Sequence, residues 1–221
     1  MDFTLREETK MLKSNAEKFM KEKSPSSVVK NVLKEEKGFS EAIWKEMANL
    51  GWLGLVYGDQ YGGSGGAFFD LFILFEEMGK AVLPSPFFCS AVLAGLLINE
   101  AGDERVKNEY LPGIVEGKKI LTVGLRNDQG LYDYQDPALE AQEAGESSYR
   151  IKGTRLLVPY AHVADEIVVC AKLMKGSRAS GPTLFKTNRQ ESGIKLTPLN
   201  TITGERSDRS YRASCGCPGK P

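Results

Sequence analysis

Apolar residues recur at near-helical spacing through the first half of the chain and gather into short strand-like runs in the second. Between residues 4 and about 22, Leu5, Leu12, Ala16 and Phe19 share one helical face, and Thr4 followed by Glu7 makes a capping-box pattern. Lys23-Ser-Pro-Ser-Ser27 breaks that helix, and a short polar helix follows. Ser40 then caps a helix over 41–50 whose apolar side is Ile43, Trp44 and Met47. From Phe68 to Ala81 the chain is apolar around most of a helical circumference, which predicts a helix central to a bundle. Leu83-Pro-Ser-Pro86 ends it. Ser85 as N-cap, Pro86 at the first helical position and Gly102 past the end delimit a second central helix, with Phe87, Phe88, Val92, Leu93, Leu96 and Leu97 expected in the core. Asp103 caps the last helix, with Val106, Tyr110 and Leu111 facing inward, and Pro112-Gly113 is expected to bend the chain into a final turn near Gly117.

At Lys118 the texture changes. Ile120-Leu-Thr-Val-Gly-Leu125 is a β-type run, and similar runs follow at 148–152, 155–158, 166–172, 183–186 and 193–196. Their separators carry Gly, Pro, Asn and Asp. No long helical stretch lies between them to form parallel crossovers, so the expected fold class is α+β: an all-α helical bundle over 1–117, then a small antiparallel β-barrel or sandwich over 118–206. Residues 127–147 read as a polar surface loop, and 207–221 as an irregular tail.

Composition excludes several functions without adding any. In 221 residues, 41% are hydrophobic and 26% charged, and Lys plus Arg equals Asp plus Glu at 29 each. A formal net charge of zero gives no field to attract nucleic acid or an anionic membrane. The N-terminus lacks an apolar export signal, and the longest apolar run, Phe87 to Ile98, is too short to span a bilayer, so the expected compartment is the cytoplasm. Cys89 and Cys170 lie in apolar runs and read as reduced core residues. Cys215-Gly-Cys217 lacks the ligand count of a zinc site, because the single histidine, His162, is far away in sequence; no metal is expected.

No self-contained catalytic motif appears: there is no Walker loop, no Gly-x-Gly-x-x-Gly after a strand and no Gly-x-Ser-x-Gly. His162 beside Ala161 and Val163 reads as a packed or turn residue. Glu76 and Glu77 point about 100° apart on one helix and cannot form an acid–base pair. The glycine-punctuated loop Gly51-Trp-Leu-Gly-Leu-Val-Tyr-Gly-Asp-Gln-Tyr-Gly-Gly-Ser-Gly-Gly66 is the most distinctive stretch. Trp52 reads as core, while Tyr57 and Tyr61 are candidates to hydrogen-bond a ligand.

This loop resembles a signature of the acyl-CoA dehydrogenase family. Leu50-Gly-Trp-Leu-Gly54 after Trp44, Tyr61-Gly-Gly-x-Gly65, Phe75-Glu-Glu-x-Gly79, Tyr110-Leu-Pro-Gly113 and Gly153-Thr-Arg155 followed by Ala164-Asp165 occur in the family's order. The resemblance covers residues 1 to about 206 and implies the family's N-terminal helical and middle β domains. It implies FAD as cofactor, an acyl-CoA thioester as substrate, α,β-dehydrogenation as the reaction, an electron-transferring flavoprotein as electron acceptor, and homo- or hetero-oligomers.

Site residues carried over are few. The first flavin segment of the family falls on Gly124-Leu-Arg-Asn-Asp128, where Leu125 matches and Arg126 replaces a hydroxyl residue. The second falls on Leu157-Val-Pro-Tyr160, where Leu157 and Val158 are expected to pack on the ring and Pro159 has no amide proton to offer. Leu93, Leu96 and Leu97 are the candidates to border the acyl tail. The family's catalytic glutamate belongs to a third, helical domain that these residues do not resemble. The resemblance therefore implies no catalytic base here and little or no activity for this chain alone. The alternative expectation is a non-enzymatic binding or assembly subunit that serves a complete partner.

Overall fold

The computed structural model describes residues 5–132, 139–145, 148–175, 178–199, 201 and 207–210. Thr4 of the expected capping box and the Cys215-Gly-Cys217 pair lie outside them. The chain divides into two compact units, one of Met1–Phe87 with Ile98–Lys118 and one of Phe88–Leu97 with Lys119–Pro221.

The first unit is helical. It contains α1 (Glu7–Lys23), α2 (Ser26–Val32), α3 (Glu41–Asn49), α4 (Phe68–Lys80) and α6 (Glu104–Val115), together with most of α5 (Gly95–Ala101). Ser40 Oγ accepts from Ile43 N at 3.3 Å and Asp103 Oδ1 from Val106 N at 2.8 Å, so both sequence-assigned caps satisfy amides that the first helical turn leaves without partners. α1 and α4 pack side by side. Asp70 ties them, accepting from Thr9 Oγ1 at 2.8 Å and from Arg6 at 3.2 Å while also capping the Ala67 amide at 3.0 Å. α6 runs on through Pro112 to Val115, where a bend was expected. Pro112 still accepts from Glu116 N at 2.9 Å, so the helix tolerates the ring within its last turn.

α4 buries Leu71, Ile73, Leu74 and Met78 but leaves Phe68, Phe69 and Phe72 exposed. Its apolar circumference is therefore only half used within the unit. The expected helix after Pro86 begins as a π-helical turn, Phe88–Ala94, continued by α5. Residues 88–97 group with the strands and not with the helical unit, whose limits the sequence placed at 1–117. The reason is local: fully buried Ser90 accepts from Leu121 N at 3.0 Å, so the turn is fastened to the first strand.

The second unit holds β1 (Leu121–Gly124), β2 (Glu140–Gly145), β3 (Ser148–Lys152), β4 (Arg155–Pro159), β5 (Glu166–Lys175), β6 (Arg178–Asn188), β7 (Leu196–Leu199) and β8 (Ser207–Ser210). β1 and β2 both pair parallel with β5, while β2–β3 and β5–β6 are antiparallel. The main sheet is thus mixed, which corrects the antiparallel barrel or sandwich expected from sequence. A parallel pair needs a long return connection, and the absence of a helix argued against one. Here β2, β3 and β4 themselves make up the connection from β1 to β5. β4, β8 and β7 form a separate three-stranded antiparallel sheet. β2 falls inside the expected surface loop and β8 inside the expected irregular tail.

The core of this unit is Leu139, Ala141, Tyr149, Ile151, Val158, Ile167, Val169, Leu173 and Phe185 with small alanines between them, and Tyr149 meets Phe185 edge-on at 5.2 Å. Asp165 fixes the entry to the sheet, because its amide donates to Ile120 O at 2.7 Å and its Oδ2 accepts from Ile120 N at 2.8 Å.

Candidate functional site

The glycine loop of the helical unit is closed on itself. Ser64 N donates to Gly54 O at 3.1 Å, Gly65 N to Tyr57 O at 2.8 Å and Gly66 N to Leu55 O at 2.7 Å. A Cβ at Gly63 would lie 2.1 Å from Tyr57 O, so only glycine permits that closure. Trp52 packs edge-on against Phe19 at 4.9 Å, as its core assignment requires. Tyr57 is buried, and burial pushes its hydroxyl pKa well up. Tyr61 is also buried and donates to Glu104 Oε2 at 3.0 Å. Neither tyrosine is presented to a ligand, and the glycine density is explained by the loop's own hydrogen bonds.

In the strand unit, the sequence-assigned residues gather where β1 leaves the sheet beside β4. Thr122 Oγ1 of β1 donates to Pro159 O of β4 at 2.6 Å, and Leu156 N donates to Arg126 O at 3.1 Å through an isolated antiparallel bridge. β4 carries a bulge between Arg155 and Val158, within which Leu157 takes φ +51°. A branched residue in the left-handed region is strained, and a bulge redirects side chains. Arg155 and Val158 consequently both point inward, and Leu157 stays 36% exposed, as is Leu125. Leu125, Arg126, Leu157 and Pro159 therefore lie on two adjoining segments. Val158 is the exception and a correction: it is 1% exposed within the core cluster, so it cannot pack on a ring at the surface.

Arg126 is held by partners invisible to motif reading. Its guanidinium lies 4.6 Å from the centre of the Tyr132 ring, a cation–π contact. The chain returns under it through a turn in which Asn127 Oδ1 accepts from Gln129 N at 3.0 Å and Leu131 N at 2.9 Å. An Asx-type signal at Asn127 with Gly130 would have located this turn. Arg155, quoted above only as part of a motif, is the other residue whose role needed coordinates. It is 1% exposed, and Nη2 donates to Cys170 O at 2.6 Å. Burial raises the Cys170 thiol pKa, with Arg155 opposing the shift, so the sulfur is not an activated nucleophile.

Leu93 lies near the end of the π-helical turn and Leu96 and Leu97 in α5, at relative positions i, i+3 and i+4, and all three are half-buried. They share a face with one another, and the core expectation for them and for exposed Phe88 is replaced by partial exposure.

The adjacent carboxylates of α4 are both ion-paired. Glu77 is buried and pairs with Lys80 at 2.8 Å; Glu76 pairs with Lys80 at 2.8 Å and Lys13 at 3.3 Å, which lowers its pKa. His162 sits in a turn with its ring stacked 6.3 Å from Tyr160. Among the described residues no group of three or more His, Cys, Asp or Glu side chains is placed to hold a metal, and no helix is long and apolar enough to cross a membrane.

Comparison with known proteins places the chain. The sequence model "Acyl-CoA dehydrogenase, N-terminal domain" matches residues 6–118, about half the chain, and the protein belongs to the acyl-CoA dehydrogenase family. It is 26% identical over 209 residues to the short-chain specific acyl-CoA dehydrogenase of Clostridium acetobutylicum, covering 94% of this chain and 54% of that one. It is 27% identical over 195 residues to the Caffeyl-CoA reductase-Etf complex subunit CarC of Acetobacterium woodii, covering 86% and 50%. Among solved structures, a variant of the Tcur3481-Tcur3483 steroid ACAD superposes with a TM-score of 0.86 at 28% identity, over 97% of this chain and 57% of that one. The chain spans about half the length of these curated relatives.

Proposed function

We propose that this chain contributes the helical and β portions of an FAD-dependent acyl-CoA dehydrogenase that introduces a double bond between the α and β carbons of an acyl-CoA thioester. The observation that carries the reading is the pairing of exposed Leu125 with exposed Leu157, the latter forced outward by a strained bulge, beside a guanidinium held over Tyr132. An apolar platform edged by one fixed cation suits a flat ring that bears electronegative atoms on one edge. Leu125 and Leu157 would pack on the ring face, and Arg126 would donate to the oxygen-bearing edge. Pro159 offers only its carbonyl, which Thr122 already occupies.

When bound, FAD supplies the acceptor for the β hydride. Leu93, Leu96 and Leu97 would offer apolar contact to the acyl chain. An electron-transferring flavoprotein is the electron acceptor proposed for the whole assembly, in keeping with the name of the Acetobacterium relative.

A proton acceptor is not assigned. The buried carboxylates of the described residues, Asp70 and Glu77, are ion-paired, and a base must be within reach of the proton it takes. The 221-residue polypeptide alone is therefore proposed to be a poor dehydrogenase. Titration of FAD fluorescence tests the site: Leu157→Asp and Leu125→Asp should each abolish quenching that the unaltered chain shows, while equal quenching in all three would remove the platform from the account. A second reading, an assembly subunit without flavin, is favoured by Pro159 alone. Flavin-free protein that co-purifies with a complete relative and raises its activity would select it.

A further inference from the structure

We infer that Arg126 biases bound flavin toward its reduced, anionic state, so that this chain holds reduced FAD more tightly than oxidised FAD. The inference rests on the flavin reading of the Leu125 and Leu157 platform and adds to it a direction of redox tuning. A guanidinium is a permanent cation. Among the described residues the side-chain contact of Arg126 is the Tyr132 ring, 4.6 Å from the guanidinium centre, and no carboxylate forms an ion pair with it. The charge is therefore held in place without being neutralised. The ring takes up one face of the guanidinium, while its N–H donors point outward in the guanidinium plane and stay available to a ligand. Arg126 is also partly buried, which limits screening of its charge by water.

Two backbone devices fix where that charge stands. Leu156 N donates to Arg126 O at 3.1 Å in the antiparallel bridge, one residue before strained Leu157, so the cation is registered to the platform. Beyond it, Asn127 N donates to Leu131 O at 2.9 Å and Gly130 N to Asn127 O at 3.0 Å, with Gly130 at φ +81° and Asn127 buried. That turn brings Tyr132 back against Arg126.

Taking up a hydride, two electrons and one proton, turns the neutral oxidised ring into an anion. The added charge lies on the oxygen-bearing edge, the edge to which Arg126 is proposed to donate. Hydrogen bonds between ionised partners are about twice as strong as neutral ones. The guanidinium therefore gains more from the reduced ring than from the oxidised one, whereas a hydroxyl offers the same single neutral donor to both. A preference for the reduced form raises the potential of the bound couple, and a tenfold preference corresponds to about 30 mV for two electrons.

The test is an anaerobic spectroelectrochemical titration of the 221-residue protein with FAD, following the visible flavin band at fixed pH, beside a fluorescence titration with oxidised FAD. The midpoint potential should lie at least about 30 mV above that of free FAD, the equivalent of at least tenfold tighter binding of the reduced form. Arg126→Gln keeps N–H donors without the charge; it should lose this shift while oxidised FAD is still quenched. Arg126→Lys keeps the charge without the planar fork and should retain part of the shift. Tyr132→Leu releases the guanidinium and should lower the potential partway. Circular dichroism should be the same in all four proteins. Quenching with a potential equal to that of free FAD, or with one that Arg126→Gln leaves unmoved, would overturn this inference and leave the platform standing. A chain that quenches no FAD would overturn both.

Discussion

Trp44 Nε1 donates to the carbonyl of Gly117 at 3.0 Å, joining α3 to the residue that ends α6 across 73 positions of sequence. Gly117 has φ +67°, and a Cβ there would lie 3.0 Å from Ala48 Cβ and 3.2 Å from the indole nitrogen. The two residues are thus selected together. Trp44→Phe should cost about 1 kcal/mol for the lost bond, and Gly117→Ala about 1–2 kcal/mol from strain and crowding. Denaturant unfolding of the two single variants and the double variant measures this, and the double should cost less than the sum because both changes break one contact.

Val82 occupies the left-handed position just past α4, with φ +50°, where Leu83 N donates to Met78 O at 3.1 Å and Val82 N to Gly79 O at 3.1 Å. Glycine is the usual residue in this kind of helix termination. Val82→Gly should raise the unfolding free energy by about 0.5–1 kcal/mol. A thermal or denaturant midpoint that falls would show that the exposed valine makes a contact outweighing its strain.

Much of the helical unit was legible because its signals are local. Ser40 and Asp103 cap where the sequence says, and α4 ends at the proline cluster it should. The sheet was less legible, since β2 and the polar Ser-Asp-Arg-Ser of β8 carry no apolar alternation and their pairing is decided by β5 and β4. At the candidate site, position in a motif identified Leu125 and Leu157. It did not reveal that a bulge turns Val158 inward, nor that Tyr132 holds Arg126, because both depend on contacts between residues distant from the motif.

The Tyr61 hydroxyl and, after it, Lys107 hold the Glu104 carboxyl below its ordinary range. A depressed folded-state value adds stability that is complete above the unfolded carboxyl pKa of about 4.3 and disappears as pH falls through the folded value. Tyr61→Phe should therefore be less stable than the unaltered chain near neutral pH, with the gap narrowing on acidification. Parallel unfolding curves across that range are the check, and a gap that widens in acid would contradict the assignment.

The proposed flavin platform, and the proposal that no carboxylate of the described residues serves as proton acceptor, are tested together by anaerobic spectroscopy of the purified 221-residue protein with FAD and an acyl-CoA. The account predicts quenched flavin fluorescence and a visible flavin band that keeps its height when the thioester is added. Bleaching of that band as fast as in complete family members would contradict it.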